Sequence, residues 1–502
     1  MELLRIGTRR STLALWQANE VRRILRLNGI PSELVHLSSS GDRSLGGNLS
    51  STVGQFVHGI DKMLIEGKVD ITVHSAKDIP VEETPEVRTI AYLERGETSD
   101  LILTGESSDW SSLPKVLQTE ASNPLVEILN KLPEKSKVGT VSGRRQSFLI
   151  ASRPDLVPIS VRGHIETRLD RLIENRVDYL ILAEAGVRRL FDSGSLSERH
   201  LRLRTVRIRE DDWPTAPGQG AIAVNCRSMD VEKHNNLREI LNHVITENAV
   251  KQERLALMRI GGGCLYPAGI KYQEGAITAA ISPEYWRTSY CTGDRYEVYR
   301  YQGDVGDLDL SEIGVSGKKS IPPDEGAKLV TTLTSQRLST QLINSGVQTV
   351  DVPVVELSSL QREWPADFIG PYTEKSRWPI LVLTSPFAAK CAVEIADTNP
   401  DIARIEWLAI GEGTHKACFE PGVTVSYCGM SRNSEQLVEY ISQNISNESE
   451  LYIPRSSKSD KVFTDSLISR GFKVRSWTGY ENVPMTIENI AIGQEDVLLI
   501  SS

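Results

Sequence analysis

Short strand-type stretches alternate with amphipathic helical stretches through most of this chain, and that alternation restricts its fold more than any other feature. LLRIGT (3 to 8) is followed by a helical run, TLALWQANEVRRILRLNG, and then by ELVHLS (33 to 38). Ser11 is placed to cap that helix and Gly29 to end it. After a loop and a helix near 56 to 66 comes DITVHS (70 to 75). The pattern restarts with KVGTVS (137 to 142), the helix GRRQSFLIASR capped by Ser142, and the strand LVPISV. The helix IETRLDRLIEN follows, with Ile165, Leu169, Leu172 and Ile173 on one face, and then the strand DYLILA (178 to 183). This spacing predicts α/β layers, each with a largely parallel sheet. Two similar lobes with a cleft between them follow from it, and ligands of such folds bind at strand carboxyl ends.

From about 233 to 320 the pattern changes. One long helical stretch leads into alternating runs such as AITAAIS and YEVYRYQGD, which predict a small α+β domain with an antiparallel sheet. GVSGKKSIPPDEGAK (314 to 328) reads as a linker. Beyond it KLVTTL, ILVLTS, WLAIG, LYIPRS and VLLIS predict the strands of a second α/β unit. A length of 502 residues agrees with three or four domains.

Composition narrows the partners. No run of eighteen apolar residues exists, and the N-terminal stretch carries arginines where a signal peptide needs an apolar core, so a cytoplasmic protein is expected. The six cysteines (226, 264, 291, 391, 418 and 428) show neither C-x-x-C nor metal spacing, so no disulfide framework and no metal is expected. A net charge of −9 speaks against nucleic acid. Residues 138 to 209 nonetheless hold fourteen arginines, no lysine and eight acidic residues, a local charge of +6. Arginine without lysine suits bidentate recognition of carboxylates, although a solvated basic face fits the same count.

Four stretches concentrate unusual residues. IGTRRSTLALWQ sets Arg9 and Ser11 at a helix start; VHSAKDIP sets Lys77 and Asp78 just past a strand end. GTVSGRRQ puts Arg144 and Arg145 in a first helical turn, and VRGHIETRL puts Arg162 and Arg168 around Gly163. Cations at helix N-termini are unfavourable unless an anion offsets them, so these placements predict an acidic ligand. Asp78 is a lone carboxylate among them, held ionised and fit to share a proton with a developing cationic nitrogen; an ordinary turn residue is the plainer alternative. APGQGAIAV (216 to 224) reads as a glycine hinge entering a buried strand, and it lacks the lysine of a phosphate loop. His74 reads as a core histidine. In ERLALMRIGGGCLYPAG (253 to 269) a helix runs into three glycines and Cys264. That is either a helix stop with a small buried cysteine or a permissive tether for something the cysteine carries.

Taken in order, IGTRRSTLALWQA, VDITVHSAKDIP, VGTVSGRRQ, VRGHIETRL, LAEAGVRRL, APGQGAIAV and GGGCLYPAG resemble the hydroxymethylbilane synthase (porphobilinogen deaminase) family collinearly over roughly residues 1 to 310. The resemblance implies two periplasmic-binding-protein-like lobes plus a small α+β domain. The implied boundaries are 1–103 with 216–232 for lobe 1, 104–215 for lobe 2, and 233–313 for the small domain bearing the cofactor cysteine. It also implies the chemistry of a deaminating transferase. Cys264 would hold a covalent dipyrromethane through a thioether, and four porphobilinogens would be added to it, each losing ammonia. Asp78 would be the catalytic carboxylate. Lys77, Ser75, Thr140, Ser142, Arg144, Arg145 and Arg168 would hold the cofactor's acetates and propionates. Arg9, Ser11, Gln17, Arg162 and Arg189 would bind the incoming substrate. The sequence departs from the family at three places: Val53 stands where a lysine is common, His164 replaces an asparagine and Ser99 an arginine.

The second half resembles the uroporphyrinogen-III synthase family in KLVTTL, ILVLTSPFAA, WLAIGEGTHKAC, SEQLVEYI, LYIPRS and GYENVP, over residues 329–502 after the linker 314–328. The resemblance implies a second α/β unit that cyclises hydroxymethylbilane, with Tyr480 and Thr414 near its cleft. The sequence ends at Ser501–Ser502, where that family continues, so a unit lacking its C-terminal part is expected. The expected function is therefore a monomeric bifunctional enzyme of tetrapyrrole (haem) biosynthesis acting on porphobilinogen and a linear tetrapyrrole. The alternatives are a deaminase with a degenerate or truncated synthase domain, and a non-catalytic anion-binding protein with two lobes.

Overall fold

The computed structural model describes residues 3–36, 60–81, 85–261, 266–308, 328–332, 339, 342–343, 347–365, 379–399, 402, 405–423, 425–426, 433–485 and 496–499. Cys264 and Val53 lie outside the described residues, as does nearly all of the expected linker. The chain forms two compact units, Met1–Glu284 with Glu297–Ile313, and Tyr285–Tyr296 with Gly314–Ser502.

The first unit opens with β1 (Leu4–Thr8), α1 (Thr12–Leu27), β2 (Ser32–His36), β3 (Ile71–Ser75), β4 (Val87–Tyr92) and β5 (Asp100–Thr104). The ends of α1 are as read from the sequence. Ser11 accepts from the Ala14 N–H at 3.3 Å. At the other end the Ile30 N–H reaches the Leu25 carbonyl and the Gly29 N–H the Arg26 carbonyl, with Gly29 at φ +73°. That is the 6→1 and 5→2 pairing that stops a helix on a left-handed glycine. Gln17, Ala18, Val21 and Leu25 are its buried face.

Lobe 2 contributes β6 (Ser111–Ser112), β7 (Lys137–Gly139), α2 (Gly143–Ser152), β8 (Val157–Ile159), α3 (Ile165–Ile173), β9 (Tyr179–Ala183), α4 (Glu184–Asp192) and β10 (Arg204–Arg207). The chain then returns as β11 (Ile222–Arg227). The first sheet has the order β2-β1-β3-β11-β4 and the second β6-β10-β5-β9-β7-β8. Both are mixed rather than largely parallel. β1 runs parallel to β2 and β3, but β11 is antiparallel to β3 and β4, and β5 is antiparallel to β9 and β10. The strands that depart are those next to the two crossings between lobes, where the chain must turn back. The expected lobe boundary at 103/104 falls inside β5. That strand pairs along Asp100–Thr104 with β9, so lobe 2 starts by Asp100.

α5 (Asn235–Leu241) and α6 (Val244–Arg259) follow, then β12 (Ala268–Gln273), β13 (Ala276–Ile281) and β14 (Tyr299–Gly303), an antiparallel sheet as expected. The small domain is nonetheless less contiguous than 233–313. Leu237 and Leu241 of α5 complete the lobe 1 core beside Val21 and Ile90. Between β13 and β14, α7 (Trp286–Thr292) belongs to the other unit.

That second unit holds two sheets. β15 (Leu329–Thr331) pairs in parallel with β16 (Thr349–Asp351) and with β22 (Val497–Leu499). The other runs β17-β21-β20-β18-β19, from β17 (Val355–Ser359), β18 (Ile380–Leu383), β19 (Glu406–Ala409), β20 (Glu450–Ser456) and β21 (Lys473–Pro484). Its strand β18, parallel to β20 on one side and β19 on the other, reads ILVL and is buried at every position, as a parallel strand covered on both faces should be. α8 (Pro386–Thr398) and α9 (Gly411–Phe419) cover it, and α7 packs onto α9 through Trp286 and Phe419, edge to face at 5.5 Å. No helix among the described residues is long and apolar enough to cross a membrane.

Candidate functional site: a cationic cavity around Asp78

β3 ends at Ser75, and a single 3-10 turn, Ala76–Asp78, carries Lys77 and Asp78 out of the sheet. The turn is braced by the loop that enters β11. Gly218 sits there at φ +77°, so close to Ala76 that a Cβ would stand 3.1 Å from it. Gly220, at φ +85°, would put a Cβ 2.5 Å from the Gly96 carbonyl oxygen. Only glycine fits either place, which accounts for the Gly-x-Gly spacing of this turn.

Lys77 and Asp78 face a cavity of about 420 Å³. Arg9, Ser11 and Ser75 line it from lobe 1, and Ser142, Arg144, Arg145, Arg162, Arg168 and Arg189 from lobe 2. Eleven of the fourteen residues expected in the deaminase site thus meet in one wall. Gln17 and Thr140 lie behind it. Gln17 donates to the Ser75 hydroxyl at 2.9 Å, and the Thr140 hydroxyl accepts from the Ser142 N–H at 3.3 Å. Cys264, the fourteenth, lies outside the described residues. His74 pairs with Asp61 at 3.0 Å in the core, as a structural histidine would.

Among the described lining residues, Arg9, Lys77, Arg144, Arg145, Arg162, Arg168, Arg189 and Arg254 are cationic, against the carboxylates Asp78 and Glu166. Burial registers in the protonation of the cations. Burial pushes Arg162, Arg168 and Arg189 down to about 10. Burial first, and then the charge of Arg145, pushes Lys77 down to about 8. Each remains a cation near neutral pH.

Not every arginine is equally available. Arg144 and Arg145 converge on Asp100, which is fully buried: Arg144 Nη2 donates to Oδ2 at 2.6 Å, and Arg145 donates from Nη2 to Oδ1 at 2.6 Å. Trp213 Nε1 and Gln219 Nε2 add donors at 2.9 Å each. Burial alone would raise Asp100, but the two guanidiniums more than offset it and hold it far below the usual carboxylate range. The Arg144 Nε is buried without a partner among the described atoms. Arg189 donates to the Gly220 carbonyl at 2.6 Å and lies over the Trp16 ring at 5.3 Å. Arg168 is aimed by a 2.8 Å bond to the Gly163 carbonyl.

Sequence reading missed Asp100, Gln219, Glu253 and Arg254. Asp100 sits 44 residues from its nearest arginine partner, and no local pattern marks such a pairing. Serine at position 99 donates to Glu210 at 2.9 Å and is not part of the cavity wall. His164 lines the cavity. In the second unit the Tyr480 hydroxyl lies 2.8 Å from Ser385 Oγ, and its ring stands 5.1 Å from that of Phe387 in the core. Thr414 is buried on α9.

Residues 4–235 match the family model described as porphobilinogen deaminase, dipyromethane cofactor binding domain, and residues 336–502 match uroporphyrinogen-III synthase HemD. A probable porphobilinogen deaminase of Methanosarcina barkeri is 36% identical over 267 residues, which is 53% of this chain and 75% of that protein. The porphobilinogen deaminase of Geobacter sulfurreducens is 35% identical over 268 residues, with the same shares. A solved uroporphyrinogen III synthase of Thermus thermophilus aligns at 14% identity and TM-score 0.21, over 32% of this chain and 64% of that one.

Proposed function

Because the chain belongs to the porphobilinogen deaminase family, we propose that it builds hydroxymethylbilane on a dipyrromethane carried by Cys264, with Asp78 as the catalytic carboxylate. The observation that carries this reading is the placement of Asp78 in a cavity lined by eight cations. A dipyrromethane with acetate and propionate on each ring suits that wall, and the unpartnered Arg144 Nε offers it a buried donor. When bound, the dipyrromethane supplies the free pyrrole α-carbon to which each substrate is joined. Lys77, Ser142, Arg144, Arg145 and Arg168 would hold its carboxylates. Arg9, Ser11, Arg162 and Arg189 would take those of porphobilinogen, while Gln17 and Thr140 act by orienting Ser75 and Ser142.

As porphobilinogen loses ammonia, positive charge grows on its pyrrole ring. Asp78 accepts a hydrogen bond from the pyrrole N–H and offsets that charge.

For the second unit we read cyclisation of the linear product to uroporphyrinogen III, supported by the match over residues 336–502. Incubating the purified chain with porphobilinogen and resolving the product isomers tests both halves together. Type III uroporphyrinogen is expected from the wild type, and type I alone would refute the cyclising role. Asp78→Asn should fold with an unchanged melting temperature yet lose on the order of a hundredfold or more in turnover. Near-wild-type turnover would refute its assignment.

A further inference from the structure

Three residues on one face of α6 meet the Asp78 segment in succession. Val250 packs in a small apolar cluster with Ala76 and Ile79, the residues on either side of Lys77 and Asp78. One turn on, Arg254 spreads its guanidinium over the carbonyls that follow Asp78. Its Nη1 donates to the Ile79 oxygen at 3.2 Å, and its Nη2 to the oxygens of Pro80 and, at 3.1 Å, Val81. Leu257, a further turn along, lines the cavity and belongs to the cluster against which Val81 packs. The spacing i, i+4, i+7 puts all three on one stripe of the helix.

α6 is itself fixed at this level. Glu253, next to Arg254 and fully buried, accepts from Arg95 at 2.8 and 2.9 Å, from the Gly218 N–H at 2.7 Å and from the Tyr272 N–H at 3.0 Å. Gly218 is also the residue that packs closely on Ala76. The turn bearing Asp78 is thus held through Gly218 and through Val250 and Arg254, and both holds lead to α6. That helix ends at Arg259, five residues before Cys264.

We infer that Arg254 is a positioning residue of the deaminase reaction: by tying the carbonyls of residues 79 to 81 to α6, it sets where the Asp78 carboxylate stands for a pyrrole tethered beyond the end of that helix. The inference rests on the assignment of Asp78 and Cys264 above. A planar fork of donors is what three successive carbonyls of an extended segment require, and a lysine ammonium reproduces the charge but not the plane. Without the clamp the segment keeps its apolar contacts through Val250, so the fold survives while the carboxylate drifts. Displacement by about 1 Å at a reacting group costs up to roughly a hundredfold in rate.

The test uses the full chain, produced where porphobilinogen is available, as wild type, Arg254→Gln, Arg254→Lys and Arg254→Ala. Intact mass gives the fraction of each protein carrying the adduct, and rates are taken per loaded protein. Arg254→Gln is expected to keep its adduct and its KM within about twofold, while kcat falls roughly tenfold to a hundredfold. Arg254→Lys is expected to regain part of kcat, and guanidinium ion added to Arg254→Ala to raise it. Unchanged kcat per loaded protein in Arg254→Gln would overturn the inference. So would a deficit confined to melting temperature or adduct occupancy, since that is what a purely structural role gives. An unmodified but active wild type would instead overturn the assignment of Cys264, and would show itself before any variant is compared.

Discussion

Arg145 grips Asp100 with two parallel donors, Nη2 to Oδ1 at 2.6 Å and Nε to Oδ2 at 3.0 Å, in a place closed to solvent. The pair spans from the first residue of β5 to the first turn of α2 and ties the cavity wall to the strand that opens lobe 2. Asp100 is thus the counter-charge that lets two adjacent arginines stand in a helix N-terminus before any ligand arrives. Removing it leaves buried guanidiniums uncompensated, which costs about 3–5 kcal/mol. Asp100→Asn should therefore lower the unfolding free energy of the deaminase unit, read from urea titration, by an amount in that range. A change under about 1 kcal/mol would show that the wall does not need its counter-ion.

The depressed Lys77 makes ligand binding depend on pH. Burial and Arg145 lower it from 10.5 to about 8 in the folded chain. Below about 8 it is charged whether folded or unfolded, and the ligand-free fold bears the full cost of the buried charge. Between about 8 and 10.5 the unfolded chain holds a proton that the folded one has released, so that cost is relieved as pH rises. A carboxylate ligand reverses the preference by stabilising the ammonium. In Cys264→Ser, which cannot hold the primer covalently, the rise in Tm on adding a free dipyrromethane tetracarboxylate should therefore shrink as pH goes from 7 to 9. In Cys264→Ser with Lys77→Arg it should hardly change, because arginine stays charged. Equal pH dependence in both proteins would exclude Lys77 as the titrating contact.

α7 supports a third prediction. Trp286 is 1% exposed and lies edge-on to Phe419, with the Arg287 guanidinium 4.2 Å from its ring. Lys416 Nζ donates to the Cys291 carbonyl at 3.3 Å. A segment lying between two strands of the small domain's sheet thus supplies core to the second unit. Trp286→Ala should destabilise that unit by about 3–5 kcal/mol, read as a lower first transition in a thermal melt. Deaminase turnover at 25 °C should stay near wild type, and a melt unaffected by the substitution would mean that α7 is dispensable to the second unit.

The sequence made some of this legible and hid the rest for identifiable reasons. Helix caps at Ser11 and Ser142 and the apolar faces of α1 and α3 are local patterns, and they could be read directly. Most residues of the cavity wall stand in motifs after strand ends or at helix starts, which converge in α/β folds; Ser75, Ser142 and Arg189 are expected there only from the family resemblance. DLILT, by contrast, carries nothing to say which sheet it joins, so a boundary read from sequence falls inside β5 rather than ahead of it. Arginine counting found the basic wall, but the carboxylate that neutralises part of it comes from a distant strand start. Glu253 and Arg254 look in sequence like one more charged pair on a helix; only their partners, 19 to 175 residues away, give them a role. The stretch around Trp286 reads in sequence as part of the small domain because its neighbours on both sides are.

The central claim is that Cys264 carries the primer which Asp78 serves, and intact-mass spectrometry of the full chain purified from porphobilinogen-producing cells tests it most directly. The wild type should be heavier than its sequence by two porphobilinogen units less the ammonia lost, with the added mass mapping to the peptide that contains Cys264. Cys264→Ser should show the bare sequence mass and no turnover. An unmodified wild type that still consumes porphobilinogen would contradict the account.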